Sequence, residues 1–271
     1  MKTSTVLRLA LLFAGAAAPP ASALAAKEKI TYPSIDGLRI TADLYLARED
    51  PATPFIVLFH QAGYSRGEYL EIAPRLNALG FNCLAVDQRS GSTVNEVANE
   101  TVERAVRGGL GTTYVDALPD VVASLRFARE RYAKGKLIAW GSSYSASLAL
   151  KVAGDDPKLV DGVLAFSPGE YFERLGQPAD WIRIAAKKVE QPVFVTSAAD
   201  EKEKWAAIFA LIPAKTKVSF LPETKGRHGA SALWAVQEDS AAYWKAVESF
   251  LRAQFLPPGP PAAKESDGRN I

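Results

Sequence analysis

The chain has 271 residues, 48% of them hydrophobic and 23% charged, with a formal net charge of +2. This composition suits a globular core, and the near balance of acids and bases gives no electrostatic case for a nucleic-acid partner. One cysteine and two histidines exclude an intrachain disulfide, a thiolate zinc cluster and a histidine-rich metal site, so neither a metal nor a cofactor is expected.

At the N-terminus, Lys2 and Arg8 precede the apolar stretch LALLFAGAAA, and ASALAA then offers small residues, with Ala23 and Ala25 placed for a signal peptidase. Residues 1–25 therefore read as a signal peptide and the protein as exported, either periplasmic or secreted. No later segment is long and apolar enough to cross a membrane. From Lys29 to Ala47, apolar and polar residues alternate on both sides of Asp36-Gly37, a hairpin signal. PFIVLFH is a continuous apolar run, typical of a strand covered on both faces. Helix EYLEIAPRLNALG, strand NCLAVD, the helix around DALPDVVASLRFARERYAKG and strand KLIAW follow. A helix to Gly154, strand VDGVLAFS, a short helical piece, strand PVFVTS, helix EKEKWAAIFALIP and strand KVSFLP come next. A last amphipathic helix is expected over SALWAVQEDSAAYWKAVESFLRAQF. Cys83, within FNCLAV, is expected to be buried packing.

Strands alternating with helices of this length argue for right-handed crossovers and a mainly parallel sheet with helices on both faces, here with an antiparallel hairpin leading in. With no internal repeat and no linker, residues 26–256 read as one α/β domain. Residues 257–271, Pro-rich and then polar, read as a disordered tail. The Gly-rich connection from Arg89 to Tyr114 is long enough to suggest a lid or binding loop. Only about 25 residues separate VLAFS from PVFVTS, too few for a separate cap domain, so the site should be open.

The stretch LIAWGSSYSASLAL carries four serines across a strand-to-helix junction. A nucleophile held there is lifted above the sheet edge, with the N–H groups of the helix start pointing at developing negative charge. The turn brings the residues two before and two after close together, so both must be small. Ser142 would place Trp140 in that position, and Ser145 and Ser147 lie inside the helix. Ser143 has Gly141 before it and Ser145 after it, and passes.

Gly141-Ser142-Ser143-Tyr144-Ser145 resembles the Gly-x-Ser-x-Gly nucleophile elbow of the α/β-hydrolase fold, departing at Ser145, which is still small. The resemblance implies an acid after a later strand and a histidine after the last one. Asp200 follows PVFVTS, and His228 lies in the loop after KVSFLP. His228 would take the Ser143 proton, and Asp200 would hold the imidazole. Glu201 is the alternative acid, but it points the wrong way if the preceding strand keeps its phase. Phe59-His60-Gln61-Ala62-Gly63 resembles the oxyanion loop of the same fold. Tyr144 N–H and either Gln61 or Ala62 N–H would form the oxyanion hole, with Gln61 favoured. His60 is expected to anchor that loop. The compact, capless layout resembles the dienelactone-hydrolase branch over roughly residues 29–254. Members that open lactones carry a cysteine nucleophile, so a serine leans towards ester hydrolysis.

Arg66, Glu68 and Arg89 lie at the carboxyl ends of strands, where open α/β sheets bind ligands, and are candidate substrate-binding residues. The expected function is a serine hydrolase acting on a small-molecule ester. A peptidase, a lactone hydrolase and a non-catalytic binding protein are the alternatives on the same fold.

Overall fold

The computed structural model describes residues 27–257, so the leader read over 1–25 and all of the tail except Pro257 lie outside the described residues. The chain opens with strands β1 (Lys27–Pro33), β2 (Arg39–Tyr45) and β3 (Phe55–Phe59), then helix α1 (Ile72–Leu79) and strand β4 (Asn82–Asp87). A small hairpin of β5 (Thr93–Val94) and β6 (Val97–Ala98) precedes α2 (Glu100–Arg107) and α3 (Leu118–Arg131). The second half runs β7 (Leu137–Ser142), α4 (Tyr144–Asp155), β8 (Gly162–Phe166), α5 (Trp181–Ala186), β9 (Val193–Thr196), α6 (Lys202–Leu211), β10 (Lys217–Phe220) and α7 (Ser240–Phe255).

Eight strands form one sheet in the order β1-β2-β4-β3-β7-β8-β9-β10. The last six of that order run parallel, while β2 is antiparallel to both β1 and β4. The leading hairpin and mainly parallel sheet expected from the sequence are therefore present.

Side chains alternate across the strands, and the two faces build separate cores. Phe55, Val57, Phe59, Leu137, Ala139, Val163 and Val195 pack with Val121, Leu148, Ile182 and Trp205 from α3, α4, α5 and α6. Ile56, Leu58, Ile138, Trp140, Leu164 and Phe194 pack with Ile72, Leu76, Tyr243, Val247 and Leu251 from α1 and α7. Every residue of β3, β4 and β7 is buried, which is why their sequences read as unbroken apolar runs. Cys83 belongs to the α1/α7 face, and burial pushes its thiol well above the ordinary range.

Two features depart from the sequence reading. The Arg89–Tyr114 connection is a hairpin turning at Asn95 and Glu96, both with positive φ, followed by α2, whose first turn is capped by Asn99. The final helix begins only at Ser240, because Ala230–Leu233 forms a separate 3₁₀ turn.

The topology also marks a place for a site. From β3 the chain crosses to β4 on one side, whereas from β7 it crosses to β8 on the other. Between β3 and β7 the winding direction reverses, and open α/β sheets hold ligands at the carboxyl ends beside such a reversal. Phe59 pairs with Gly141, so His60 falls opposite Ser142 and Ser143 follows one residue on.

Candidate active site

Ser143 sits between β7 and α4 with φ 59° and ψ −124°, a backbone conformation that costs a non-glycine residue roughly 1–3 kcal/mol. Its N–H donates to Phe166 O at 2.7 Å, which ties the bend to β8. A Cβ on Gly141 would lie 2.3 Å from Ser145 O, so the small residue required there is accounted for. Ser145 donates to His60 O and accepts from Gln88 Nε2, both at 2.6 Å, pinning the start of α4 to the end of β3. Tyr144 is the first residue of α4, so its N–H has no intrahelical acceptor.

His228 Nδ1 lies 2.7 Å from Glu201 Oε1. A carboxylate at that distance fixes the proton on Nδ1 and leaves Nε2 as the acceptor. Burial raises the Glu201 carboxyl pKa, but hydrogen bonds from His228 and Ser167 outweigh it and hold the group down at about 2. Asp200, the acid expected from the sequence, is exposed and makes no hydrogen bond to His228, although both line the same cavity. β9 ends at Thr196, and Ala199–Glu201 form a 3₁₀ turn, so the strand's two-residue phase is lost before position 200. One step of that turn faces Glu201 inward and Asp200 out.

The loop carrying His228 is seated on the turn that holds Ser143. Gly229, with φ 71°, would place a Cβ 2.6 Å from Ser142 Oγ and 2.7 Å from Gln61 Oε1. Its N–H donates to Ser167 Oγ, and Ala230 N–H donates to Ser142 Oγ. Among the described residues the Ser143 hydroxyl makes no hydrogen bond to His228; such contacts often tighten only with substrate bound.

Gln61, favoured from the sequence as an oxyanion donor, uses its N–H within the fold. Gln61 N–H donates to Glu68 Oε2 at 2.9 Å and is not free for a ligand. Gln61 O accepts from Tyr64 N–H and faces His60 Nδ1 at 2.9 Å. A trans peptide points its C=O and N–H in opposite directions, so anchoring Gln61 O turns Ala62 N–H outward. Ala62 lines a cavity of about 570 Å³ together with Gln61, Tyr64, Glu201, Arg227 and His228. A larger cavity, about 1040 Å³, opens at the amino ends of β3 and β4, remote from all these residues.

The three candidate substrate-binding residues are turned inward. Arg66 bonds Asp43, Asp87 and Glu100, and Arg89 bonds Asp36 and Asp120. Glu68 is fully buried. Burial pushes its carboxyl up to about 7, against hydrogen bonds from Gln61, Ser142 and the Ser231 backbone. None of the three is presented to a ligand, because each spends its polar atoms on partners within the fold. His60 is buried too, which lowers its pKa to about 4. It anchors the loop as expected. Among the described residues no group of three or more His, Cys, Asp or Glu is placed to hold a metal.

Residues 50–217 match the family model described as serine aminopeptidase, S33. The chain belongs to the S33 family of α/β hydrolases. The matched segment of this hydrolase includes the His60–Gly63 loop, the Ser143 turn and Glu201, and stops before His228. Comparison with curated proteins gives no match. Among solved structures, a dienelactone hydrolase from Anabaena variabilis superposes with a TM-score of 0.64 at 14% identity, covering 86% of this chain and 100% of that one. An esterase from Pyrococcus furiosus gives 0.63 at 15%, covering 86% and 94%. Est1E from Butyrivibrio proteoclasticus, solved with ferulic acid bound, gives 0.61 at 14%, covering 81% and 96%. At these identities the likeness is one of fold.

Sequence reasoning weighed Ser142 only as a nucleophile and did not single out Ser167. Ser167 also has positive φ, 56°, and its hydroxyl donates to Glu201 Oε2 at 2.8 Å. Its one sequence cue is its place directly after a buried strand.

Proposed function

We propose that this hydrolase cleaves small carboxylic esters through an acyl-enzyme. Ser143 Oγ attacks the ester carbonyl carbon while His228 Nε2 takes its proton. The carbonyl oxygen becomes an oxyanion facing the N–H groups of Tyr144 and Ala62, each worth roughly 3 kcal/mol in the transition state. The C–O bond to the alcohol then breaks, and the proton on Nε2 goes to the leaving alkoxide. Water, deprotonated by His228, attacks the acyl carbon, and the acid departs with Ser143 restored. Glu201 holds the imidazole tautomer and stabilises the imidazolium. The observation that carries this reading is the Glu201–His228 pair, seated through Gly229 and Ala230 on the turn that holds Ser143.

A fluorophosphonate probe with mass mapping tests it. Labelling should fall on Ser143 and disappear in His228→Ala, and p-nitrophenyl esters should turn over. An unlabelled but folded protein would favour a binding role. The family description supports a second reading, aminopeptidase activity; faster turnover of aminoacyl-nitroanilides than of esters would select it. We also propose export with cleavage after Ala25, for which the N-terminal sequence of the mature protein is the check.

A further inference from the structure

Two buried carboxylates act on the same loop. Glu201 accepts from Ser167 Oγ, which accepts Gly229 N–H at 2.9 Å. Glu68 Oε1 accepts from Ser142 Oγ at 2.8 Å, and that hydroxyl accepts Ala230 N–H, also at 2.8 Å. The two consecutive amides after His228 are thus held by two serine–glutamate pairs, one at the end of β8 and one at the end of β7. Only the first pair includes a member of the proposed triad. The other oxygen of Glu68 holds Gln61 N–H. One carboxylate therefore ties together the oxyanion loop, the nucleophile turn and the histidine loop.

Packing alone does not call for an acid here. Glu68 has no Lys, Arg or His partner among the described residues, and a buried carboxylate without a cation is unfavourable. What it offers is acceptor capacity towards donors on separate loops. A glutamine would turn an NH₂ against one of them, and an aliphatic side chain would strand both. Resting on the hydrolase reading above, we propose that Glu68 is a positioning residue for acyl transfer: through Gln61 N–H and Ser142 it holds the Ala62 amide and the His228 loop in register with Ser143, without touching substrate.

The test compares Glu68→Gln and Ser142→Ala with the wild-type chain on a p-nitrophenyl ester. Active sites are counted by fluorophosphonate labelling taken to completion, so misfolded molecules drop out. Misplacing reacting groups by about an ångström costs up to about 100-fold in rate. Both variants should lose about 10- to 100-fold in kcat per labelled site, with KM within about twofold. A boronic acid, which mimics the tetrahedral adduct, should weaken by the same factor as kcat/KM. If the role is structural only, labelled sites and Tm fall while kcat per labelled site stays at the wild-type value; that result overturns the proposal. Should Glu68→Gln fail to fold, Ser142→Ala decides, because it adds no buried polar group. A wild type that labels and turns over, with unaffected variants, overturns this inference alone. An inert wild type overturns the hydrolase reading with it.

Discussion

Glu201 serves three donors at once, His228 Nδ1–H and Lys204 Nζ through one oxygen and Ser167 O–H through the other. In Glu201→Gln one of these must face an amide NH₂, and the imidazole loses both its fixed tautomer and its counter-charge. Substituting the amide for the acid in such triads lowers kcat by about 10⁴, and a loss of that order is expected here. Asp200→Asn should leave kcat within about twofold, since its side chain faces solvent. Steady-state ester hydrolysis by the two variants separates them, and the opposite ranking would return the acid's role to Asp200. The choice between these neighbours could not be read from the sequence. It depends on one 3₁₀ step after β9, and nothing in SAADEKE announces where strand geometry stops. The choice of Ser143 among four serines was legible, because it follows from steric limits at Gly141 and Ser145 that operate within the local turn.

At the scale of elements, legibility followed the range of the interactions. Strands β3, β4 and β7 stand out because burial on both faces leaves four or five apolar residues in a row. The β5–β6 hairpin has two residues per strand and no period to detect, so its stretch read as a lid. Arg66 and Arg89 read as ligand-binding because their partners, Asp43, Asp87, Asp36 and Asp120, lie distant in the sequence. This same region supports the oxyanion loop. Asn99 Oδ1 caps α2 by accepting Thr101 N–H and Val102 N–H, so its Nδ2 is the donor that faces His60 Nε2 at 3.1 Å. His60 Nε2 is then the acceptor, and Nδ1–H donates to Gln61 O. With only two histidines, an ¹⁵N-edited imidazole spectrum contains two spin systems. Both should carry a proton on Nδ1. Asn99→Ser keeps a good helix cap but removes the donor to Nε2, so the His60 signals should shift towards a tautomer mixture and kcat should drop about tenfold or more. A wild-type His60 protonated on Nε2 would break this chain of inference.

Across the whole molecule, buried ionisable groups act in opposite directions on stability. His60 is depressed from 6.5 to about 4, so the unfolded chain binds more protons between those values, and the folded state loses stability as pH falls through that window. Glu68 is raised from 4.5 to about 7 by burial; here the folded state binds more protons, and stability is lost as pH rises from 4.5 through 7. Between pH 4.5 and 6.5 the two offset each other. Below pH 4.5 the Glu68 contribution is complete, while Glu201 and Asp36, both held at about 2 by their hydrogen-bond partners, begin to lose theirs. The wild type should therefore show little slope in Tm from these groups around pH 5–6 and a steep loss towards pH 2. Glu68→Gln removes one group that gains stability on acidification and leaves Asp87, raised to about 6 by burial, to oppose His60. Its Tm deficit relative to wild type should widen as pH falls from 7 to 4.5 and stay constant below that. Thermal melts of both proteins at half-unit pH steps give the comparison. A deficit that narrowed on acidification would mean that Glu68 is ionised well below neutral pH in the folded protein, with a compensating charge that its buried surroundings do not supply.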